Sequence, residues 1–178
     1  MTAYVALFRG VNVGGRNSLP MQDLRDILSS LGCENVRTYI QSGNAAFASA
    51  AQAGELGASI EAAIDNRFGF APEVLLLTVT RLKAIAAANP FPDAESEPKF
   101  LHVLFLAEAA DEADIDGLNA VRAPSERFLL TDDALYLHAP DGIARSKFAA
   151  KVERCLGVAA TGRNWNTVKK IIELAGAT

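Results

Sequence analysis

One order of apolar patterns occurs twice in this chain and limits what it can fold into. A continuous apolar run at residues 4–8 comes first, before apolar residues at helical spacing, namely Met21, Leu24, Ile27, Leu28 and Leu31. Short strand-like runs at residues 36–41 and 44–48, a helical pattern around Ile60 and an apolar run at residues 74–79 follow. Short apolar runs are typical of buried strands, and this spacing is typical of helices. The first half therefore predicts strand, helix, two strands, helix and strand.

The same order recurs after a proline-rich connector at residues 90–98. Strands are expected at residues 100–106, 126–130 and 135–138 and near Val158, and helices around Leu118, Val152 and Val168. We therefore predict an α+β fold built from two ferredoxin-like halves, each with the order β-α-β-β-α-β. The halves are expected at residues 1–89 and 99–178, the second with an extra C-terminal helix.

Composition favours a folded cytoplasmic protein. Half of the 178 residues are apolar and 21% are charged, which is enough apolar material for a sizeable core. No apolar run reaches the length of a membrane span, and no secretion signal is recognisable, so we expect no membrane association. Cys33 and Cys155 lie in no metal-binding or redox motif, which fits a reducing compartment.

The charge distribution bears on possible partners. The formal net charge of −4 argues against a general nucleic-acid coat, which needs many Lys and Arg residues to neutralise phosphates. Residues 145–170 nevertheless hold seven basic residues and one acid, Glu153. A solvated helix surface and a binding patch both explain this segment.

The first candidate site is the loop that follows the first strand. Arg9, Asn12, Arg16 and Asn17 crowd residues 9–17 together with three glycines. Glycines let backbone N–H groups approach an anion, and the start of the next helix adds positive partial charge. The loop matches neither common phosphate-binding motif, and a long loop needs glycines for its turns in any case. Both explanations stay open.

The second candidate, at residues 38–44, contains Gln41, Ser42 and Asn44. A hairpin turn alone accounts for Ser, Gly and Asn at such positions. Since no histidine lies near Ser42 in the sequence, the pattern supports no activated nucleophile.

The third candidate precedes the last helix and contains Arg163, Asn164, Trp165 and Asn166. Thr161 or Asn164 would suit the N-cap of that helix. Capping accounts for one of the two asparagines and leaves the other unexplained. A tryptophan beside an arginine can stack on a planar group, which would suit a ligand.

A fourth candidate is the pair Arg145 and Lys147 at the start of the preceding helix. A cation at that end is repelled by the positive end of the helix dipole unless an anion or a neighbouring acid lies beside it. His102 and His138 lie in strand-like runs, where we expect buried, hydrogen-bonded structural roles. No spacing resembles a metal site, and no cofactor is indicated.

Four segments together resemble the bacterial family named domain of unknown function 1697. They are residues 7–21 (LFRGVNVGGRNSLPM), 35–44 (NVRTYIQSGN), 89–91 (NPF) and 163–167 (RNWNT). The resemblance spans nearly the whole chain and implies a duplicated ferredoxin-like architecture, but no activity. Arg16 stands where the family suggests a lysine, and Ser18 replaces a second basic residue, which removes one charge from the loop.

Three functions compete. The first is the binding of a small anionic or nucleotide-like ligand, with or without catalysis, between the halves by Arg9, Asn12, Arg16, Asn44, Arg163 and Asn166. The second is RNA or single-stranded nucleic-acid binding, because ferredoxin-like sheets can present aromatic side chains to bases. The third is a structural or partner-binding role without a ligand, in which apolar sheet faces form a dimer. The oligomeric state stays open.

The apolar strands also predict how the protein unfolds. Strands that are apolar on both faces would leave an exposed apolar surface if each half stood alone. We therefore expect the halves to cover one another and to unfold in a single calorimetric transition. Two separate transitions would contradict this.

Overall fold

The computed structural model describes residues 1–176, which form two compact units. Unit 1 comprises Met1–Ala84 and the residues from Lys169 onward, and unit 2 comprises Ile85–Val168. The described residues contain two four-stranded antiparallel sheets and six α-helices, so the protein has a mixed α and β fold.

Unit 1 contains the first sheet. Its elements are β1 (Thr2–Arg9), α1 (Met21–Ser30), β2 (Glu34–Tyr39), β3 (Asn44–Ser49), α2 (Ala53–Phe68), β4 (Glu73–Thr78) and the first part of α3 (Val79–Ala87). The strands lie in the order β2-β3-β1-β4, and each neighbouring pair is antiparallel. The first strand of the sequence is therefore a central strand of the sheet.

The core of unit 1 forms where α1 and α2 pack on this sheet. Tyr4, Ala6 and Phe8 alternate along β1, so their side chains share one face, and all three belong to the buried cluster. Buried residues of the two helices complete it, namely Leu24, Ile27 and Leu28 from α1 and Leu56, Ile60 and Ile64 from α2. The helical spacing in the sequence thus marks the faces that the helices bury.

Unit 2 contains the second sheet. Its elements are a 3₁₀ helix (Pro92–Ser96), β5 (Leu101–Leu106), α4 (Ile115–Val121), β6 (Arg127–Leu130), β7 (Ala134–His138), a 3₁₀ helix (Ile143–Arg145), α5 (Lys147–Leu156), β8 (Ala160–Asn164) and the start of α6 (Trp165–Ala175). The strands lie in the order β6-β7-β5-β8, again antiparallel.

Side-chain caps fix the helix ends in unit 2. Asp114 accepts a hydrogen bond from the Gly117 N–H at 2.8 Å, and the Ser146 hydroxyl accepts one from the Ala149 N–H at 3.0 Å. Each bond satisfies one of the N–H groups that a helix start leaves without an intrahelical partner. The cap at Ser146 therefore sets where α5 begins.

The structure differs from the sequence-based expectations in two places. The strand expected near Val158 lies at Ala160–Asn164, where a glycine and polar residues replace the apolar run that makes other strands visible. The connector, in which the sequence shows no periodicity, contains the 3₁₀ helix at Pro92–Ser96. The Asn89 side chain helps to position it by accepting a hydrogen bond from the Phe91 N–H at 3.0 Å.

Candidate functional site

The loop after β1 is a tight turn. Val13 and Arg16 form an isolated antiparallel bridge, with a hydrogen bond of 3.0 Å from the Arg16 N–H to the Val13 carbonyl. Gly14 and Gly15, between them, have φ values of 59° and 73°. A two-residue turn of this kind requires positive φ at both central positions, which is why two glycines are needed there. The glycines shape the loop whether or not it binds a ligand.

Asn12 fixes this loop to its surroundings. Its side-chain Nδ2 donates to the Leu19 carbonyl at 2.9 Å and to the Gln41 carbonyl at 2.6 Å, and its Oδ1 accepts from the Leu19 N–H at 2.7 Å. Asn17 Nδ2 donates to the Gly10 carbonyl at 3.0 Å. Both asparagine amides therefore hold the loop in shape.

The turn between β2 and β3 packs against the same loop. The Phe8 N–H donates to the Gly43 carbonyl at 2.9 Å, and Asn44 is fully buried, with its Nδ2 bonded to the Tyr39 carbonyl at 3.1 Å. Ile40 has a φ of 49°, an uncommon backbone conformation for a β-branched residue, and its side chain is 48% exposed. Unit 1 thus brings the first two candidate segments together.

The first two candidate segments contain two charged side chains, Arg9 and Arg16. Arg9 Nη1 forms an ion pair with Glu73 Oε2 at 3.0 Å. Arg16 is exposed, and its side chain has no hydrogen-bond or ion-pair partner among residues 1–176. Gln41 and Ser42 are also exposed. Arg16 is therefore the cation of this loop that remains available for an anion.

The third candidate segment joins β8 to α6. Asn164 Oδ1 accepts a hydrogen bond from the Thr167 N–H at 3.0 Å, so of the two suggested caps Asn164 is the one that bonds the helix. Trp165 is 4% exposed, and its indole Nε1 has no hydrogen-bond partner among the described residues, whereas Asn166 is exposed. Arg163 Nη1 donates to the Gly162 carbonyl at 2.8 Å, and burial lowers the pKa of its guanidinium to about 10.

A cavity of about 300 Å³ opens beside this segment within unit 2, and we name it the α5 cavity. Its lining residues are His102, Leu104, Leu137, Ile143, Ala149, Val152, Gly162, Arg163 and Asn164. Two residues of the third candidate segment therefore line one cavity with a histidine.

His102 differs from its expected role. It is buried, as predicted, but its Nε2 has no hydrogen-bond partner within the part of the chain that the structure describes. Leaving a buried polar atom without a partner costs about 1–3 kcal/mol. His138, by contrast, is only half-buried, and its Nδ1 accepts from Arg127 Nε at 3.3 Å. The sequence could not separate the two histidines because both lie in apolar strand runs.

A second cavity in unit 2, of about 640 Å³, is lined by basic residues, and we name it the basic cleft. It lies between the chain segment after α4 and the start of α5. Its cations are Arg122, Arg145, Lys147 and Lys151. The sequence singled out Arg145 and Lys147 and included Lys151 within the basic segment 145–170, but it did not indicate Arg122, which lies in an acid-rich segment.

The carboxylates of the two acids that line the basic cleft are hydrogen-bonded to groups other than its cations. Glu126 is buried, and its Oε2 accepts from the Ala123 N–H at 2.8 Å. Asp141 Oδ2 accepts from the Ser125 hydroxyl at 2.6 Å. Within residues 1–176, the side chains of Arg145, Lys147 and Lys151 have no hydrogen-bond or ion-pair partner. Among the described residues, none of these three cations therefore forms an ion pair with a neighbouring acid.

Comparison with known proteins places the chain in a family. Residues 1–136 match the family described as "Protein of unknown function (DUF1697)". The chain belongs to this family. Over 98% of its length it also resembles 98% of a solved structure described as "The structure of conserved bacterial protein SP0830 from Streptococcus pneumoniae", with 25% sequence identity and a TM-score of 0.74. None of the curated protein sequences matches it.

Two further features of this DUF1697 protein concern metals and membranes. In residues 1–176, no group of three or more His, Cys, Asp or Glu side chains is placed to hold a metal ion. No helix of the described chain combines the length and the apolar content needed to cross a bilayer.

The packing of the two loops of unit 1 leads to a stability prediction. Gly43 has a φ of 78°, and a Cβ there would lie 2.6 Å from Val11 Cγ2 and 2.7 Å from Phe8 Cβ. We expect Gly43→Ala to lower the free energy of unfolding by about 2–4 kcal/mol, through strain and overpacking. Gly54→Ala is the matched control, because Gly54 lies in α2 with open space around it. Urea denaturation should show the control to be neutral or stabilised, and equal losses in the two variants would contradict the prediction.

Burial of His102 predicts a pH dependence. Desolvation by burial, with a smaller contribution from His138, lowers the pKa of His102 below its usual value of 6.5. As the pH falls below 6.5, the unfolded chain therefore takes up a proton before the folded chain does, and stability decreases. Between pH 7.5 and 5.5 we expect His102→Phe to recover at most about 1.4 kcal/mol of this loss. Denaturation curves at both pH values measure it, and an equal loss in the wild-type protein and the variant would contradict the prediction.

Proposed function

We propose that this protein binds a small anionic ligand that carries a phosphate group, and that the basic cleft is the binding site. The observation that carries the proposal is that the charged side chains of Arg145, Lys147 and Lys151 have no hydrogen-bond or ion-pair partner among the described residues. The cavity volume of about 640 Å³ lies within the range of small-molecule sites.

Electrostatics explains why this arrangement suits an anion. Like charges repel, and a cation near a helix N-terminus also opposes the positive end of the helix dipole. Lys147 and Lys151 lie four residues apart on α5, so they are neighbours on one face of the helix. A bound phosphate relieves both the mutual repulsion and the conflict with the dipole.

The cleft also contains groups for other parts of a ligand. Arg122 lines it beside the cations of α5, and its Nη1 bonds the Glu126 carbonyl at 2.6 Å, which fixes the guanidinium in place. Arginine pairs with two phosphate oxygens at once, whereas lysine acts as a point charge. We therefore infer that Arg122 orients the anion and that the lysines supply most of the charge.

For the residues that the sequence singled out, we propose a role toward the same class of ligand, either by direct contact or by holding the loops that present the contacts. Arg16 would be the charged contact in unit 1, while Asn12, Asn17 and Asn44 hold the loops that present it. The complete set is Arg9, Asn12, Arg16, Asn17, Gln41, Ser42, Asn44, Arg163, Asn164, Trp165 and Asn166.

Burial of the strand aromatics weighs against base stacking as the main activity. Tyr4, Phe47, Phe105 and Tyr136, which lie in the central strands of the two sheets, are each at most 5% exposed. Recognition of single-stranded RNA on a sheet depends on aromatic side chains that bases can reach.

We also infer a duplicated ferredoxin-like plan, with residues 90–98 as the connector between the halves. The strand orders β2-β3-β1-β4 and β6-β7-β5-β8 support this inference, because they correspond element by element. A cytoplasmic location is proposed on the composition alone.

Isothermal titration calorimetry tests the proposed site, with inorganic pyrophosphate as the probe in low-salt buffer. We expect saturable binding that added sodium chloride weakens, and a roughly tenfold or greater loss of affinity in Lys147→Gln and in Lys151→Gln, because each removes a charged contact. Lys83→Gln is the matched control, since Lys83 is exposed on α3 and lines none of the cavities described above. Absence of binding, or an equal loss in the Lys83 variant, would overturn the proposal.

A further inference from the structure

We propose that the α5 cavity is a second, independent binding site, which takes a small and mostly apolar neutral molecule bearing a carbonyl group and a hydrogen-bond donor, such as a short primary amide. The site shares no lining residue with the basic cleft, although both use α5. The inference therefore does not depend on anion binding in the basic cleft.

The walls of the cavity favour an apolar ligand body. Five of its nine lining residues are aliphatic, namely Leu104, Leu137, Ile143, Ala149 and Val152. Its volume of about 300 Å³ lies at the lower end of the range for small-molecule sites, which are mostly apolar with a few polar groups that orient the ligand.

The polar groups of the cavity come from neighbouring strands. His102 in β5 and Asn164 in β8 are direct partners in the sheet, so their side chains leave from the same face. Asn164 Oδ1 bonds the Thr167 N–H, and its Nδ2 has no partner in the described part of the chain. His102 is 8% exposed, and its Nε2 likewise has no partner there. Two adjacent side chains therefore retain hydrogen-bonding capacity beside one apolar cavity.

The charge state of these groups selects a neutral ligand. Arg163 is the sheet partner of Val103, so its side chain leaves from the opposite face to His102 and Asn164. Burial lowers the pKa of His102, which keeps the imidazole neutral at pH 7. An amide carbonyl can accept from Asn164 Nδ2 while the amide N–H donates to the neutral imidazole.

A larger residue in place of Gly162 would fill part of the cavity. A Cβ at this position would meet only Leu104 Cγ, at 3.7 Å, which is an ordinary van der Waals contact. The backbone also lies in a strand, where a β-branched residue is well accommodated. Substitution at Gly162 therefore fills space in the cavity without a steric conflict with the backbone.

Chemical-shift titration of the ¹⁵N-labelled full chain with isobutyramide tests the proposal. We expect saturable shifts at His102, Gly162 and Asn164, and none in the basic cleft. Gly162→Val should abolish these shifts, and Gly162→Ala, as the milder variant, should weaken them. The thermal midpoint of each variant shows whether it is folded.

A second pair of variants isolates the hydrogen bond. Asn164→Asp keeps the oxygen that caps α6 but removes the Nδ2 donor, so we expect affinity for isobutyramide to fall about threefold to tenfold. Asn66→Asp makes the same chemical change at an exposed position in α2, outside the cavity, and should bind like the wild-type protein. Absence of saturable shifts in the wild-type protein, or equal affinities of Asn164→Asp and the wild-type protein, would overturn the proposal.

Discussion

Each sheet depends on a central strand that is buried on both faces. Val5 and Leu7 leave β1 on one face and Tyr4, Ala6 and Phe8 on the other, and all five are at most 5% exposed. β5 has the same property, because each of its six residues is buried. A strand with two buried faces must pair on both edges, since a buried N–H or C=O without a partner is costly. β1 pairs with β3 and β4, and β5 pairs with β7 and β8.

The polar residues around these strands serve two different purposes. The side-chain amides of Asn12 and Asn44 donate hydrogen bonds to backbone carbonyls. These carbonyls lie at loops, where no regular secondary structure provides a donor for them. The side chains of Arg145, Lys147 and Lys151 in the basic cleft have no such use within the described residues. The structure thus separates polar side chains that are hydrogen-bonded within their own chain from those that are open to a ligand. The sequence alone does not make this distinction.

Local signals in the sequence predicted most of the fold. The apolar run at residues 4–8 lies inside β1, and the helical spacing of apolar residues begins at Met21, where α1 starts. Asn164 was one of two predicted caps of α6 and makes the capping bond. The sequence predicted β8 too early in the chain, near Val158, because Gly162, Arg163 and Asn164 show no apolar alternation. Such a strand is held by pairing with β5, which is a long-range contact that local patterns do not encode.

The candidate sites were less predictable than the fold. The basic cleft joins Arg122 to Lys151, which are separated by a hairpin and a 3₁₀ helix, so no motif links them. The α5 cavity depends on the register that places His102 opposite Asn164. Spacing along the chain contains neither relation, because both arise from the pairing of strands and the packing of α5.

The left-handed backbone of Ile40 bears on how this chain has evolved. An isoleucine in that conformation costs about 1–2 kcal/mol relative to a glycine, and the exposed side chain gains little burial in return. Selection for stability alone would favour Gly or Asn at this position. The chain therefore sits below its attainable stability at the tip of this turn, in keeping with proteins that are selected to pass a stability threshold and not to reach a maximum.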